Sequence, residues 1–185
     1  MSNVEAIGRL FAVSGPTFNL NLPSFDGIYP NRDAPVVRNA SGGGRELVVM
    51  RWGLPSSQAT ARPITNLRNL SRWRTLLSQP DRRVLVVVTA FAEYEGEVGA
   101  KRKVWFGRAD GEPFAFVGVW RPSPDGDRMA FLTCEPNDTV AAVHPKAMPV
   151  VLPAASYDSW LSDSYTTVCA LALPHLEGSL TRLRD

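Results

Sequence analysis

The sequence predicts a strand-rich α+β fold with a few helices. Fifteen prolines and fourteen glycines separate many short apolar runs, and this pattern is typical of strands and turns rather than of a helical bundle. The chain has 185 residues, of which 44% are hydrophobic and 21% charged, so it is long enough to enclose a core. Because it shows no internal repeat and no linker-like stretch, we expect one domain over residues 1–185.

Short apolar runs predict the strands. They cover residues 9–13, 46–53, 84–91, 103–108, 114–120, 129–134 and 166–173. Within the third run, residues 84–88 are apolar at every position, so we expect this strand to be covered on both faces and to lie deep in a sheet. Glu93 follows closely, which places its carboxylate either near the core or in a solvated turn.

Three segments predict helices. The clearest spans residues 67–79, where leucines recur at helical spacing, Thr65 or Asn66 can cap the start, and Pro80 ends the run. The others cover residues 137–143 and 153–161. We expect these helices to lie at the periphery of the sheets.

Composition narrows the class of protein. No run approaches the roughly 18 apolar residues that a membrane helix needs, and the first ten residues contain Glu5 and Arg9 but no apolar segment of a secretory signal. We therefore expect a cytoplasmic protein that is not associated with a membrane. Cys134, Cys169 and two histidines have no zinc-like spacing, so we expect core thiols, no metal site and no cofactor.

Basic residues are concentrated in one segment. Residues 62–83 contain six arginines and one acid, Asp81, although the net charge of the whole chain is only +2. With Trp52 and Trp73 nearby, this excess fits either a phosphate-binding surface with a stacking platform or a solvated basic helix face. The sequence contains neither a Gly-rich phosphate-binding loop nor the G-x-S-x-G motif of a nucleophile elbow.

Three polar residues stand at the boundaries of predicted elements. Asn66 is at a helix start, Glu93 follows a strand, and His144 comes directly after a short helix. Reactive side chains are often found at such positions because the flanking elements hold them rigidly. Taken singly, Asn66 is also explained as a helix cap and His144 as a structural histidine, and the pattern alone leaves these alternatives open.

Seven segments, taken together, resemble a known family. They are YPNRDAPVVR (29–38), VVMRWGLPSS (48–57), ITNLR (64–68), RVLVVVTAFAEY (83–94), FAFVGVW (114–120), FLTCEPN (131–137) and VHPKAMPVVLP (143–153), followed by YDSWL (157–161). In order and spacing they resemble the SRAP domain family, whose members are the SOS response-associated peptidases, also understood as abasic-site processing proteins. The resemblance covers about residues 8–161, nearly the whole chain.

This resemblance implies a fold and a function. Members have a barrel-like, mostly antiparallel α+β domain that holds single-stranded DNA in a basic channel and reacts with the ring-opened aldehyde of an abasic site. A cysteine at position two, exposed when the initiator Met is removed, closes a thiazolidine on the aldehyde carbon. We therefore expect a monomeric protein whose partner is single-stranded DNA with abasic sites.

The resemblance also implies roles for individual residues. Asn66 matches the Asn that orients the N-terminus, Glu93 the glutamate that moves protons, and His144 the histidine that assists sugar opening and crosslink reversal. These three are the expected catalytic residues. The expected DNA-binding residues are Arg9, Trp52, Arg68, Arg72 and Lys146.

The sequence departs from the family pattern at the nucleophile. Ile7 stands where the cysteine is expected, behind six extra residues, and neither Cys134 nor Cys169 replaces it by position. Leu70 stands where the family has a glutamate after its Asn-Ala-Arg motif. The His-x-x-Met-Pro motif is one residue longer after His144, which is expected to shift the imidazole.

Three functions are compatible with these departures. The first is an abasic-site lyase in which an N-terminal amine forms a Schiff base without a thiol. The second is a degenerate module that only binds single-stranded or damaged DNA. The third is a peptidase that trims its own N-terminus, and the missing cysteine leaves open whether the protein is an enzyme at all.

Overall fold

The fold is strand-rich α+β, as predicted, and the computed structural model describes residues 3–14, 27–56, 62–97, 99–174 and 179–183. The strands are β1 (Asp33–Asn39), β2 (Arg45–Trp52), β3 (Asn66–Leu67), β4 (Arg83–Val88), β5 (Ala90–Glu95), β6 (Arg102–Gly107), β7 (Phe114–Arg121), β8 (Arg128–Cys134), β9 (Met148–Pro149), β10 (Val151–Leu152) and β11 (Thr181–Arg182). The helices are α1 (Asn3–Leu10), α2 (Arg74–Leu77), α3 (Asp138–Ala141), α4 (Tyr157–Ser162) and α5 (Tyr165–Leu171), with 3₁₀ turns at Leu70–Trp73, Pro80–Arg82 and Ala154–Ser156.

Five strands form a closed ring in the order β1, β2, β8, β7 and β4. β1 and β2 are an antiparallel hairpin in which Asp33 lies opposite Arg51. Their connection contains Gly43 and Gly44 at φ of 90° and 74°, a left-handed conformation that favours glycine. β4 joins β1 to β7 by antiparallel pairing, and β8 closes the ring by pairing antiparallel with β7 and parallel with β2.

β4 confirms the prediction that residues 84–88 lie deep in a sheet. Its first five residues are buried, and since successive side chains point to opposite faces, both faces of the strand are covered. The predicted strand 84–91 is nevertheless two strands. Thr89 is exposed and interrupts the apolar run, and β5 begins a second sheet with β6 and β11.

Two predicted strands, at residues 9–13 and 166–173, are wrong. The first falls on the end of α1 and the turn after it, where Ile7 and Phe11 lie one helical turn apart in the core. The second falls on α5, whose start Ser164 caps by accepting a hydrogen bond from the backbone N–H of Thr167 at 3.3 Å. Periodicity alone does not separate a short apolar strand from a buried helical turn. At residues 166–173 the Ser164 cap favours the helix.

The predicted helix over residues 67–79 is only partly present, because β3, a 3₁₀ turn and α2 share this segment. Its cap is neither Thr65 nor Asn66. Asn66 instead pairs in parallel with Phe131 of β8 and is therefore extended. Asn69 caps the 3₁₀ turn by accepting a hydrogen bond from the backbone N–H of the third residue after it, at 3.2 Å.

The other predicted helices are present as α3 and as a 3₁₀ turn followed by α4. Cys134 and Cys169 are free thiols. Cys134 is buried in β8, where burial raises its pKa to about 11, whereas Cys169 lies on a helix rather than on the predicted strand. None of the described helices is long and apolar enough to cross a membrane.

A row of aromatic rings joins the two sheets. Phe91 of β5 stacks on Phe106 of β6 with ring centroids 5.4 Å apart and meets Phe116 of β7 edge-on at 5.7 Å. Phe116 contacts Phe131 of β8 at 5.1 Å, and Phe131 contacts Trp52 of β2 at the same distance. The row fixes the β5–β6 hairpin against the ring of strands.

Candidate functional site

Glu93 lies within β5, on the strand face that packs toward the ring. It is two residues after the buried Phe91, so the two side chains share a face, whereas Tyr94 is 48% exposed on the other face. Burial raises the pKa of Glu93, and the charge of nearby His144 partly offsets that rise. Glu93 is therefore a partly buried strand residue rather than part of a solvated turn.

His144 follows α3 and faces Glu93. Asn137 caps α3 by accepting a hydrogen bond from the backbone N–H of Val140 at 3.1 Å, and the backbone N–H of His144 donates to the oxygen of Val140 at 2.8 Å. The imidazole Nδ1 lies 3.6 Å from Oε2 of Glu93. A small movement or one bridging water brings this carboxyl and imidazole into proton-transfer contact, so the pair is suited to general acid–base chemistry.

The segment from His144 to Met148 is held at both ends. Nη1 of Arg68 donates to the backbone oxygen of Lys146 at 2.6 Å, while Nη2 of Arg68 pairs with Glu135. At the other end the backbone oxygen of Met148 accepts from the Sγ of Cys134 at 3.8 Å, and the Met148 side chain is buried. The extra residue in the His-x-x-Met-Pro motif thus leaves His144 facing Glu93.

Asn66, the third predicted catalytic residue, does not join this pair by a hydrogen bond. It is exposed on β3, and in the described parts of the chain no hydrogen bond connects it to Glu93 or His144. Arg68, two residues further along the chain, binds the backbone of Lys146, which is two residues after His144. The structure thus brings two of the three predicted catalytic residues, Glu93 and His144, into a pair, and within the described residues it joins Asn66 to neither by a hydrogen bond.

Trp52 contacts the segment around Asn66, and Arg68 follows Asn66 by two residues. The indole Nε1 of Trp52 donates to the backbone oxygen of Thr65 at 3.0 Å, and its ring packs on Phe131, the strand partner of Asn66. Trp52 is partly exposed, and the side chain of Arg68 is 49% exposed. A partly exposed aromatic ring can stack on a base, and a guanidinium held on the loop of His144 can contact a phosphate.

The other predicted DNA-binding residues lie on separate elements. Arg72 is exposed on the 3₁₀ turn capped by Asn69, and Lys146 is exposed beside Arg68. Arg9 is exposed on α1, which is anchored where the ring of Phe11 stacks on that of Tyr157 at 5.1 Å.

Ile7 is a core residue and not a chain end. It lies inside α1 with 7% of its surface exposed. The position that the family resemblance gives to the nucleophile therefore carries a peptide nitrogen within a helix and an apolar side chain in the core. Neither group can attack an aldehyde.

Two contributors to this site were not predicted from the sequence. Glu135 pairs with Arg68, and Asn137 caps the helix that carries His144. Both belong to the segment Glu135-Pro136-Asn137, whose Asn before an Asp-Thr-Val run is a helix-start signal. In the described parts of the chain no cluster of three or more His, Cys, Asp or Glu side chains is arranged to hold a metal ion.

The fold and the site together define a class: a ring of strands with a packed hairpin that presents a carboxylate–imidazole pair, with an exposed arginine bound to the loop of the imidazole. The family profile of the SOS response associated peptidases (SRAP) matches residues 5–180. This chain belongs to the SRAP family, as its sequence motifs predicted.

Solved structures share the fold at low sequence identity. A protein from Bordetella bronchiseptica is 21% identical, with a TM-score of 0.79 over 100% of this chain and 97% of that chain. A phage-related protein from the same organism is 16% identical, with a TM-score of 0.73 over 100% and 92%. A protein from Bacteroides thetaiotaomicron is 18% identical, with a TM-score of 0.70 over 84% and 75%. No curated protein matches the sequence at a significant level.

Proposed function

We propose that this protein binds single-stranded DNA and recognises or processes abasic sites in the response to DNA damage. The observation that carries the proposal is the pair formed by Glu93 and His144, with 3.6 Å between Oε2 and Nδ1. An abasic site exposes a sugar aldehyde in place of a base, and reactions of an aldehyde with an amine need groups that deliver and remove protons. Burial raises the pKa of Glu93, so its carboxyl holds a proton to a higher pH than an exposed glutamate does.

Contacts around the pair support binding of a nucleic acid. Arg68 is a partly exposed guanidinium next to the loop of His144, and Trp52 offers an aromatic ring beside Asn66. Arginines neutralise backbone phosphates, and aromatic rings stack on bases of any sequence. An abasic strand held by these residues lies close to the carboxyl and imidazole groups.

Anisotropy titrations test the binding step. Fluorescent single-stranded oligonucleotides with and without one abasic site are titrated into wild-type protein, Glu93→Gln, His144→Asn and Glu112→Gln. Glu112 is exposed in a turn after β6 and serves as a control for the loss of one carboxylate. We expect wild-type and control proteins to prefer the abasic strand and the two site variants to lose that preference, because they lose the groups that face the sugar.

Denaturing gels test the processing step. The same oligonucleotides are incubated with each protein and examined for strand cleavage and for a covalent protein–DNA species. Processing by the pair predicts product with the wild-type and Glu112→Gln proteins and much less with Glu93→Gln. Equal affinity of the wild-type protein for intact and abasic strands, together with no product, would refute the proposal.

A non-covalent binding module is the second candidate. The buried position of Ile7 inside α1 favours it, because the family's cysteine chemistry has no counterpart there. This candidate predicts abasic-strand binding that weakens steeply with salt and produces no covalent species. The self-trimming peptidase gains no such support, since cleavage before Ile7 requires α1 to unfold locally.

A further inference from the structure

Lysine is rare in this chain, and one lysine stands in the loop of the site. Lys101, Lys103 and Lys146 are the only lysines among twenty basic residues. Arginine is suited to binding phosphates, whereas the amine of a lysine can also attack a carbonyl carbon and form a Schiff base. A protein that otherwise uses arginine thus carries an amine two residues after His144.

The backbone of Lys146 is fixed next to the acid–base pair. Residues two apart have Cα atoms no more than about 7.5 Å apart, so residue 146 lies close to His144, whose Nδ1 is 3.6 Å from Glu93. Arg68 holds the backbone oxygen of Lys146 at 2.6 Å, while the side chain of Lys146 is exposed. Within the described residues its ammonium has no hydrogen-bond or ion-pair partner.

The other two lysines are less suited to act as the nucleophile. Lys103 donates to the hydroxyl of Tyr29 at 3.0 Å, and this hydrogen bond occupies the amine and raises the pKa of Lys103. Lys103 also lies over the ring of Trp105 at 6.0 Å. Lys101 is exposed directly before β6, in the connection between β5 and β6.

We propose that Lys146 supplies the nucleophilic amine that the family places at the chain start, an inference that rests on the proposed abasic-site function. The neutral Nζ of Lys146 attacks the aldehyde carbon of the ring-opened sugar, and a C–N bond forms. The π bond of the carbonyl opens, and its oxygen takes one proton from nitrogen to give a carbinolamine; the Glu93–His144 pair then accepts the second proton of nitrogen and delivers a proton to the departing hydroxyl. Water leaves, and a Schiff base links Lys146 to the DNA; hydrolysis reverses the step.

Reductive trapping followed by peptide mapping tests this assignment. Wild-type, Lys146→Arg, Lys101→Arg and Lys103→Arg proteins are incubated with a single-stranded oligonucleotide carrying one abasic site, in the presence of sodium borohydride. Borohydride converts the Schiff base to a stable secondary amine, and the modified lysine resists trypsin. Each arginine variant keeps its positive charge, so DNA binding, measured by anisotropy on the same oligonucleotide, is a separate readout.

The expected result is a trapped species that maps to residue 146, persists in the Lys101→Arg and Lys103→Arg variants, and falls in Lys146→Arg by a much larger factor than the affinity for the abasic strand does. A trapped species that maps to another lysine or to the chain's terminal amine overturns the assignment and leaves the proposed function intact. Binding of the abasic strand without any trapped species also overturns the assignment of Lys146 and leaves the proposed function intact. If the wild-type protein neither binds the abasic strand nor is trapped on it, the proposed function itself is refuted.

Discussion

The imidazole of His144 and the carboxyl of Glu93 come from different elements, yet their Nδ1 and Oε2 atoms are 3.6 Å apart. Glu93 belongs to the β5–β6 hairpin, and His144 to the loop between α3 and β9. The hairpin is fixed against the ring of strands by Phe91 and Phe116, and the loop is fixed by Arg68. The pair therefore depends on how the two sheets pack, and it can be perturbed from either side.

Substitution of Glu93 by Gln is expected to stabilise the protein at neutral pH. Burial raises the pKa of Glu93 in the folded state, so between its unfolded and folded pKa values the folded protein binds more protons than the unfolded chain. The stability that Glu93 contributes is thus full below the unfolded pKa and is lost as pH rises through the folded pKa. Thermal midpoints measured from pH 4 to pH 8 should show the variant's advantage growing with pH.

Two further proteins control that measurement. Glu112→Gln removes an exposed carboxylate and should follow the wild type at every pH. In a His144→Asn background the advantage of Glu93→Gln should increase, because the histidine charge that partly offsets the raised pKa of Glu93 is gone. An advantage of equal size at all pH values would contradict the assigned cause.

Substitution of Arg68 by Ala is expected to weaken binding to any single-stranded sequence. Loss of one phosphate contact should reduce the slope of log affinity against log salt by about 0.7 for single strands. Because Arg68 also holds the backbone of Lys146, the preference for abasic over intact DNA should fall as well. Arg108→Ala is the matched control, since Arg108 pairs with Asp110 in the turn after β6. An unchanged salt slope in Arg68→Ala would exclude a phosphate contact.

Substitution of Trp52 by Ala is expected to cost about 1–3 kcal/mol of binding free energy, the usual value of one stacked base. Trp52→Phe should retain much of the affinity, because it keeps a ring on Phe131 and loses only the hydrogen bond to Thr65. Trp120→Ala is the control, since guanidinium groups 4.4 and 4.8 Å from its ring centroid already occupy that ring. Equal losses of affinity in the two alanine variants would mean that Trp52 does not stack on a base.

Substitution of Ile7 by Cys is not expected to allow thiazolidine formation while α1 is folded. Residue 7 lies within α1 and is buried, so the new thiol has no free amine beside it. The smaller side chain should lower the free energy of unfolding by about 1 kcal/mol through lost core packing. A heat-stable crosslink to abasic DNA on a denaturing gel, seen with this variant and not with wild type, would show that the chain start does reach the site.

The sequence predicted the structure correctly where the pattern of apolar residues is compatible with only one environment. Residues 84–88 are apolar throughout, so a strand covered on both faces followed directly, and β4 is that strand. It was misleading where short apolar runs fit two structures: residues 9–13 and 166–173 read as strands but fall on α1 with its following turn and on α5, the latter fixed by the cap of Ser164. Such runs carry too few turns for periodicity to decide.

The sequence named both residues of the pair in the candidate site, but neither their geometry nor the residues that support them. Family motifs pointed to Asn66, Glu93 and His144, yet only the closed ring and the packed hairpin bring Glu93 to His144. Asn66 was expected to cap a helix, but its pairing with Phe131 makes it a strand residue. Long-range pairings of this kind depend on contacts between distant segments and leave no local pattern in the chain.

The most direct test of an abasic-site function is the NMR signal of the His144 imidazole during a DNA titration. The chain contains two histidines, so a spectrum of the His144→Asn variant assigns the resonance without ambiguity. Single-stranded DNA with one abasic site should shift the His144 signal at substoichiometric to equimolar ratios, and intact DNA of the same sequence should shift it less. A His144 signal that stays in place while either DNA saturates the protein would contradict the assignment of the Glu93–His144 pair as the site that meets the abasic sugar.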